Sequence, residues 1–297
     1  MNISTKNDDS LRIGRVRLRA YAKLNLTLEV LFKRNDGYHE LRTVMHSIDV
    51  FDTLTVTKND SDTINVRCSV PLPKNNTAYS AAQLFMEYTG CGGVNIEIEK
   101  GIPSEAGMGG ASADAAGVLR AMESIYGKIN EQELYAIGRR VGADVPFCLH
   151  GGCALAEGIG ERLTGLNPIK LNLLVIKGER GVSTGCLFRS LKLSAAGKKT
   201  DAAIEAITAG NVEELSESLG NALMPAAEAS VPEIADYRRR LLKCGALGAC
   251  MTGSGSAVYG IFSSEAAASN AAKQFSDCEF CAVCKTRETP IEIVFCM

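Results

Sequence analysis

Residues 102–117 form a stretch of small residues that could hold a phosphate group. The stretch reads Ile-Pro-Ser-Glu-Ala-Gly-Met-Gly-Gly-Ala-Ser-Ala-Asp-Ala-Ala-Gly. Before it, apolar and polar residues alternate over residues 94–99, a period typical of a half-buried strand. We expect Ser112 to cap a helix that runs to about Ser124. A strand, a small-residue loop and a helix start aim unpaired backbone N–H groups at one point, which favours an anion there.

Three glycines allow a polyphosphate to approach the main chain of this loop closely. Gly107, Gly109 and Gly110 have no Cβ atom to hold it away. The loop is not G-x-x-x-x-G-K-[ST], because the lysine is absent, and it is not G-x-G-x-x-G, because Ser112 replaces the last glycine. Taken alone, a small-residue turn before a helix is more often a result of tight packing than a nucleotide site.

A lysine and an asparagine share one face of a predicted strand over residues 22–30. Apolar residues at positions 24, 26, 28 and 30 predict the buried face, so Lys23 and Asn25 lie together on the other. The simpler interpretation of such a face is that it is solvated.

An aspartate in the segment 142–147 is a second candidate for acid–base chemistry. Asp144 lies between apolar neighbours, and we expect Pro146 to force Val145 out of helical geometry. An aspartate in this setting is otherwise a cap or turn residue.

Together with the glycine-rich residues 251–257, these segments resemble in order and spacing the motif set of the GHMP small-molecule kinases. Within that superfamily, residues 36–39 (Asp-Gly-Tyr-His) and 22–26 are similar to kinases that act on a cytidine diphosphate derivative of methylerythritol. Further matches are residues 156–161, 181–184 and 220–223. The similarity runs from about residue 19 to residue 262.

The resemblance implies an α+β, two-domain GHMP kinase fold with the active site in the cleft between domains 1–168 and 169–297. It implies ATP-dependent phosphorylation of the 2-hydroxyl of that substrate, in the non-mevalonate route to isoprenoid precursors, with ATP and Mg²⁺ as cofactors. In the implied mechanism Asp144 is the base, and Lys23 stabilises the transferring phosphoryl group and the ionised aspartate.

The resemblance also assigns binding residues. Those implied to cradle ATP are Pro103, Ser104, Glu105, Ala106, Gly107, Met108, Gly109, Gly110, Ala111, Ser112 and Ala113. Of these, Ser112 carries the hydroxyl expected near Mg²⁺. Asn25 is expected to hold the substrate diphosphate, and the cytosine is expected between Tyr38 and Phe188 with His39 at its polar edge. A histidine judged in isolation would by default be a satisfied turn residue.

The chain departs from the family pattern at several places. The usual phosphate loop has glycine where this chain has Glu105 and Ala111, and often serine where it has Ala113. We expect the Glu105 carboxylate to point to solvent or face a metal ion, because it would repel a triphosphate. The Ala111 methyl is expected to make a positive φ less accessible at this position of the loop. Met224 stands where the family tends to have an acidic residue.

Two other functions remain open from the sequence. One is another kinase of the superfamily, such as a mevalonate-pathway or sugar kinase, for which residues 36–39 would have no obvious purpose. The other is a non-catalytic sensor that binds nucleotide without turnover. The presence of both Lys23 and Asp144 argues against a sensor.

The composition is that of an ordinary enzyme with a small-molecule substrate. The chain of 297 residues is 46% hydrophobic, enough for two domains. The chain has 32 Lys and Arg against 34 Asp and Glu, so no excess of positive charge favours binding to nucleic acid. No apolar run approaches the ~20 residues that span a bilayer, and no signal sequence opens the chain. We therefore expect a cytoplasmic protein without a membrane partner, with residues 1–10 as a frayed lead-in.

Cysteine is abundant, and its use is ambiguous. There are 11 cysteines, an odd number that favours free thiols in a reducing cytosol. Cys278, Cys281 and Cys284 have the C-x-x-C-x-x-C spacing of iron–sulfur and zinc proteins. The segment also has the pattern of a strand, on which residues three apart point to opposite faces, so we expect no convergent metal site.

Periodicity predicts both strands and helices along the chain. Strands are predicted over residues 15–30, 53–68, 94–99, 171–176, 257–262 and 291–295. Helices are predicted over residues 78–88, 112–124, 131–140, 184–191, 201–209, 212–219 and 234–242.

Overall fold

A computed structural model describes residues 13–191 and 198–297 of the chain. The predicted lead-in of residues 1–10 lies outside the described residues. The strands are β1 (Arg15–Lys33), β2 (His39–Lys58), β3 (Ile64–Cys68), β4 (Val94–Glu99), β5 (Cys153–Gly158), β6 (Arg162–Leu166), β7 (Asn172–Lys177), β8 (Gly220–Asn221), β9 (Gly248–Met251), β10 (Val258–Phe262), β11 (Phe280–Lys285) and β12 (Ile291–Cys296). The helices are α1 (Thr77–Thr89), α2 (Gly110–Tyr126), α3 (Glu131–Val141), α4 (Val145–His150), α5 (Thr184–Ser190), α6 (Lys199–Ala209), α7 (Val212–Ser218), α8 (Met224–Ser230), α9 (Glu233–Lys243) and α10 (Glu265–Ala272).

Two long antiparallel strands, β1 and β2, form the centre of the larger sheet. Its order is β12-β1-β2-β4-β3, and β5 continues from the first half of β2 while β6 pairs with β5. The helix α2 packs its alanine-rich face on β1 and β2, with Ala115, Ala116 and Leu119 fully buried. Small side chains on this face allow the helix to lie close to the sheet, which fixes where its N-terminus points.

The smaller sheet has the order β11-β7-β10-β9 and is antiparallel throughout. The predicted division at residue 168 separates most of the two sheets. However, β8 and β12 belong by sequence to the second half and pair with β1 in the larger sheet. The chain thus returns to its first sheet, and the division into residues 1–168 and 169–297 stays a prediction.

An irregularity in β1 decides which side chains reach the site. Between Asn25 and Thr27 the strand advances two residues while its partner β2 advances one, from Met45 to Val44. A bulge of this kind reverses the alternation of side chains beyond it. The prediction that residues 24, 26, 28 and 30 share one face is therefore wrong, because Leu28 lines the same cavity as Lys23 and Asn25.

Several other local predictions need correction. The predicted strand over residues 53–68 is two strands, because Asn59 accepts hydrogen bonds from both the backbone N–H and the hydroxyl of Ser61 and closes a turn. Pro146 does not force Val145 out of a helix, since α4 begins at Val145 and a proline in the first turn removes no helical hydrogen bond. The strand over Val94–Glu99 is confirmed.

The start of α2 also differs from the prediction. The helix begins at Gly110 with Gly109 at the N-cap, so Ser112 lies in the first turn and does not cap it. Ala111 is likewise helical and lacks a positive φ, so its methyl does not constrain the loop as expected. Among residues 13–191 and 198–297, no helix is both long enough and apolar enough to cross a bilayer.

Candidate active site

One cavity of about 810 Å³ brings together most of the side chains selected from the sequence. A volume of this size is typical of small-ligand sites. The predicted residues that line it are Lys23, Asn25, Tyr38, His39, Gly107, Gly109, Ser112, Asp144 and Phe188. Lining residues that were not predicted include Lys33, Thr43, Thr184, Arg189 and Ser254. The cavity therefore lies between the larger sheet and segments from the second half of the chain.

A lysine–carboxylate pair lies in the cavity. Lys23 Nζ is 3.3 Å from Asp144 Oδ2, and the lysine side chain is only 4% exposed while that of Asp144 is 31% exposed. Lys23 Nζ also donates to Asn25 Oδ1 at 2.5 Å. A buried ammonium needs such partners, since an unpaired charge in the interior is costly. The more open Asp144 carboxylate stays accessible to a ligand.

The position of Asp144 at the start of α4 decides between a structural and a chemical role. The residue occupies the N-cap, yet its side chain makes no capping hydrogen bond. Its carboxylate is directed to Lys23 instead. The cap interpretation left open by the sequence therefore does not account for this side chain, and the carboxylate is available for proton transfer.

The loop before α2 presents free backbone donors to the cavity. Within the described residues, the N–H groups of residues 107–111 have no hydrogen-bond acceptor. Gly107 is required by packing, because a Cβ there would lie 2.2 Å from the carbonyl oxygen of Thr252. Gly109 has φ of 74° and packs on the alkyl chain of Lys23. Unpaired N–H groups at a helix N-terminus form an anion site.

Only part of the predicted ATP-binding loop faces the cavity. Gly107, Gly109 and Ser112 line it. The side chains of Ala106, Met108 and Ala113 are buried in the core, so they can contact a ligand only through the backbone. Residues 103–105, 110 and 111 do not line the cavity, and Ser104, Glu105 and Ala111 are exposed.

Glu105, one departure of this loop from the family pattern, has a backbone conformation that favours glycine. Its φ is +51°, a left-handed conformation in which glycine is less strained than any other residue. The side chain is exposed, as expected, and its carboxylate lies against Gly181, where a Cβ would be 2.0 Å from Oε2. The Glu105 carbonyl oxygen accepts from Ser256 N at 3.0 Å, which fixes the strained backbone in place.

Replacing this residue by glycine separates backbone strain from charge. We expect Glu105→Gly to raise the free energy of unfolding by up to about 1 kcal/mol and to leave the KM for ATP nearly unchanged, because an exposed charge is screened. Urea unfolding and initial-rate kinetics measure the two effects. The control Glu105→Ala removes the carboxylate but keeps the strain, so it should not stabilise. A shift of the Mg²⁺ dependence in both variants would mean that the carboxylate faces the phosphates.

A buried network of hydrogen bonds and ion pairs supports the loop before α2. Lys100 Nζ donates to Asp52 Oδ2 at 2.5 Å and to Asp114 Oδ2 at 2.7 Å. Asp52 Oδ1 accepts from the backbone of Gly101 and Ile102, at 2.7 and 2.8 Å. The network thus joins β2, the start of the loop and α2. Asp114 Oδ1 has no partner among the described residues, and burial together with Asp52 raises the pKa of Asp114 to about 7.

This raised pKa makes stability depend on pH. An aspartate in the unfolded chain titrates near pH ~3.9, so between about pH 4 and pH 7 the native state keeps a proton that the unfolded chain has lost. Stability from this group is therefore lost as pH rises through that range. We expect Asp114→Asn, measured by urea unfolding, to be more stable relative to the parent at pH 8 than at pH 5. The exposed Asp60→Asn control should show no such trend, and an equal difference at both pH values would contradict the assignment.

The predicted base-binding residues are adjacent, in an arrangement that differs from the one expected. The rings of His39 and Phe188 are stacked with centroids 5.1 Å apart and planes at 27°. Tyr38 is 61% exposed, at a turn where Asp36 Oδ1 accepts its N–H. A base that stacks on Phe188 must therefore use its other face or replace the imidazole. Burial and the nearby Lys33 lower the pKa of His39, which favours the neutral imidazole.

The cysteine cluster lies at the smaller sheet. The predicted strand is present as β11, and it places Cys284 in the interior and Cys281 at the surface, while Cys278 precedes it. Within the described part of the chain, no three His, Cys, Asp or Glu side chains converge to hold a metal ion.

Sequence reasoning missed several residues that support the site. Thr252 Oγ1 accepts from Asn25 N at 3.0 Å and lies 3.3 Å from the Gly107 carbonyl oxygen, so it links the glycine-rich segment to both other motifs. Thr43 accepts from Asn25 Nδ2 at 2.8 Å. The signal for Asp114 was available, since it is a charged residue within the alanine run of α2. Thr252 lies in the glycine-rich segment 251–257 that carried the resemblance, but no local pattern indicated Thr43.

The chain matches two family models. Residues 76–152 match the GHMP kinases N terminal domain, and residues 203–279 match the GHMP kinases C terminal domain. Among solved structures, a 4-(cytidine 5'-diphospho)-2C-methyl-D-erythritol kinase superposes with a TM-score of 0.80 at 35% identity, covering 91% of this chain and 98% of that one. A homoserine kinase from Cytophaga hutchinsonii, at 18% identity and TM-score 0.77, shares the fold.

Curated relatives cover most of the chain. A 4-diphosphocytidyl-2-C-methyl-D-erythritol kinase from Caldicellulosiruptor saccharolyticus is 46% identical over 256 residues, which is 84% of this chain and 88% of the relative. An enzyme of the same name from Acetivibrio thermocellus is 42% identical over 258 residues, which is 84% of this chain and 91% of the relative. These matches confirm the α+β, two-domain GHMP kinase fold predicted from the sequence.

Proposed function

The chain belongs to the 4-diphosphocytidyl-2-C-methyl-D-erythritol kinase family of GHMP kinases. We propose that it transfers the γ-phosphoryl group of ATP to the 2-hydroxyl of 4-diphosphocytidyl-2-C-methyl-D-erythritol. The observation that carries the proposal is one cavity that holds the Lys23–Asp144 pair, the donor-rich loop and the aromatic residues of a base site. The reaction belongs to the non-mevalonate route to isoprenoid precursors.

The catalytic step uses the lysine–aspartate pair. Asp144 accepts the proton of the 2-hydroxyl as its oxygen forms the new bond to the γ-phosphorus and the bond to the leaving ADP oxygen breaks. Lys23 offsets the negative charge that gathers on the transferring phosphoryl group. The 3.3 Å distance between Lys23 Nζ and Asp144 Oδ2 supports this division of roles, since both can reach one reacting centre.

The loop before α2 holds the phosphates of ATP through its backbone. Its free N–H groups and the N-terminus of α2 supply the positive field. Asn25 contributes to the substrate diphosphate only through its second Nδ2 hydrogen, because Oδ1 binds Lys23 and the first hydrogen binds Thr43.

The oxygen atoms in the cavity fit Mg²⁺. The Ser112 hydroxyl and the Asp144 carboxylate are hard oxygen donors, and no hydrogen bond engages the Ser112 hydroxyl within the described residues. Few protein ligands suit an ion that is bound mainly by phosphates and water. When bound, Mg²⁺ neutralises phosphate charge and aligns the γ-phosphoryl group.

An acceptor panel tests the proposal. ADP release from ATP is measured with 4-diphosphocytidyl-2-C-methyl-D-erythritol, mevalonate and homoserine, and the position of the new phosphate is read by ³¹P NMR. We expect turnover only with the cytidine diphosphate compound, phosphorylated at its 2-hydroxyl. Preference for another acceptor would favour a different GHMP kinase, and nucleotide binding without turnover on any acceptor would favour a sensor. The relatives favour neither.

A further inference from the structure

The side-chain amide of Asn25 has two ends, and only one of them can face Lys23. The ammonium of Lys23 has donors and no acceptor, so it can bond only to the amide oxygen. Asn25 Oδ1 accepts from Lys23 Nζ at 2.5 Å. An amide turned by 180° would bring its NH₂ group against the ammonium and repel it. The direction of the Asn25 amide therefore matters for the position of the Lys23 ammonium.

Thr43 favours that direction from the NH₂ end of the amide, and Thr252 Oγ1, 3.5 Å from Asn25 Oδ1, favours it from the oxygen end. The Thr43 hydroxyl has a single proton, which it donates to the backbone carbonyl oxygen of Thr27. Toward Asn25 it can then act only as an acceptor, and Asn25 Nδ2 lies 2.8 Å from Thr43 Oγ1. Thr43 is 1% exposed, and buried polar groups have few alternative partners. The chain of donors thus has one consistent direction, from Asn25 through Thr43 to Thr27.

The fold builds this contact at the bulge in β1. Beyond the bulge, Val44 N donates to the Thr27 hydroxyl at 3.1 Å. The Thr27 carbonyl oxygen is in turn taken by the Thr43 hydroxyl. Side chains therefore replace ladder hydrogen bonds here, and Thr43, two residues along β2 from Met45, the partner of Asn25, lies beside Asn25. Bulges commonly redirect side chains next to active sites.

We infer that Thr43 is a positioning residue, which fixes the Asn25 amide so that its oxygen holds the Lys23 ammonium toward Asp144. The inference rests on the proposed function, in which Lys23 and Asp144 perform the chemistry. Without the Thr43 hydroxyl, the NH₂ end of the amide loses its acceptor, so the oxygen that binds Lys23 is held less firmly. A group that supports a reacting residue in this way affects turnover more than substrate binding.

Kinetics of three variants test the inference. Thr43→Val replaces the hydroxyl by a methyl and keeps the shape of the side chain. Thr43→Ala removes both the hydroxyl and the methyl, and Thr43→Ser keeps the hydroxyl and removes the methyl. We expect the first two to lower kcat roughly 10- to 100-fold with little change in the KM for ATP. Thr43→Ser should retain most of the turnover. A kcat equal to that of the parent in both Thr43→Val and Thr43→Ala would overturn the inference.

A double-mutant cycle with Asn25→Asp tests orientation itself. A carboxylate offers oxygen to Lys23 in either direction, so we expect Thr43→Val to cost little further activity in the Asn25→Asp background. The same fold loss in both backgrounds would mean that Thr43 does not act by orienting the amide. All variants are compared on whichever acceptor the parent phosphorylates, so a different acceptor contradicts the proposed function without affecting the result for Thr43.

A spectroscopic readout does not depend on activity. The side-chain ¹H–¹⁵N resonances of Asn25, assigned by their loss in Asn25→Asp, report the hydrogen bond to Thr43. We expect them to shift and exchange faster with solvent in Thr43→Val and to stay near the parent values in Thr43→Ser. Unchanged Asn25 resonances in Thr43→Val would overturn the inference even if the parent had no turnover.

Discussion

Asp144→Asn should lower kcat by at least ~100-fold, the effect expected from removing a positioned base. The substitution keeps the size of the side chain but removes its ability to accept the hydroxyl proton. Lys23→Met should lower kcat by a similar factor, because it keeps the alkyl chain on which Gly109 packs and removes the ammonium. Turnover is measured by ADP release, and ATP affinity is measured separately by titration calorimetry.

ATP affinity should change much less than kcat in both variants, because the loop amides that hold the phosphates are unaltered. Lys33→Met is the matched control, since Lys33 lines the same cavity and is exposed. It lies beside His39 and not beside Asp144. Its loss should leave kcat near the parent value. Near-parent kcat in a well-folded Asp144→Asn variant would remove the base assignment.

The parts of the site that follow from local sequence could be predicted. The strand, loop and helix around residues 94–126 are formed by contiguous residues with clear periodicity, and the structure has all three. Family resemblance then selected Lys23 and Asp144, which lie 121 positions apart in sequence and 3.3 Å apart in space. Neither periodicity nor spacing could have predicted that contact.

What the sequence did not indicate depends on register and on distant partners. The bulge at Asn25 places Leu28 on the cavity side, opposite Thr43 of β2, and no residue type in β1 marks it. The role of Thr252 follows from a packing contact between the two glycine-rich segments, at Gly107 and Gly253. Such contacts are set by the assembled sheets, so a single strand pattern cannot reveal them.

The two residues of the phosphate loop that depart from the family pattern also show what sequence alone cannot decide. Glu105 and Ala111 both replace glycine of the family pattern, yet only Glu105 has positive φ. Ala111 lies in the first turn of α2, where alanine is a favourable residue. The sequence identified both substitutions, but backbone conformation decides which one is strained.

Discrimination between cytidine and uridine forms of the substrate is the second large effect we expect. Both pyrimidines can stack on an aromatic ring, but their exocyclic groups have opposite hydrogen-bond polarity. A site that pairs with a polar edge can reject the wrong base by up to about 10⁴-fold, whereas an apolar slot gives on the order of 10-fold. We therefore expect the ratio of kcat/KM for the two diphosphate substrates to favour cytidine strongly in the parent.

Three variants at two rings, His39 and Tyr38, separate edge recognition from stacking. His39→Phe can keep the stacked contact with Phe188 but removes the ring nitrogens, so it should lose most of the preference for cytidine. His39→Ala should lose that preference and also bind substrate more weakly. Tyr38→Ala should weaken the binding of both substrates alike and leave their ratio near the parent value, because Tyr38 is expected to stack on the base and both pyrimidines stack. Equal use of both nucleotides by the parent would mean that His39 does not recognise the base. A preference for cytidine that survives in His39→Phe would assign the contact with the polar edge of the base to backbone groups of the same turn.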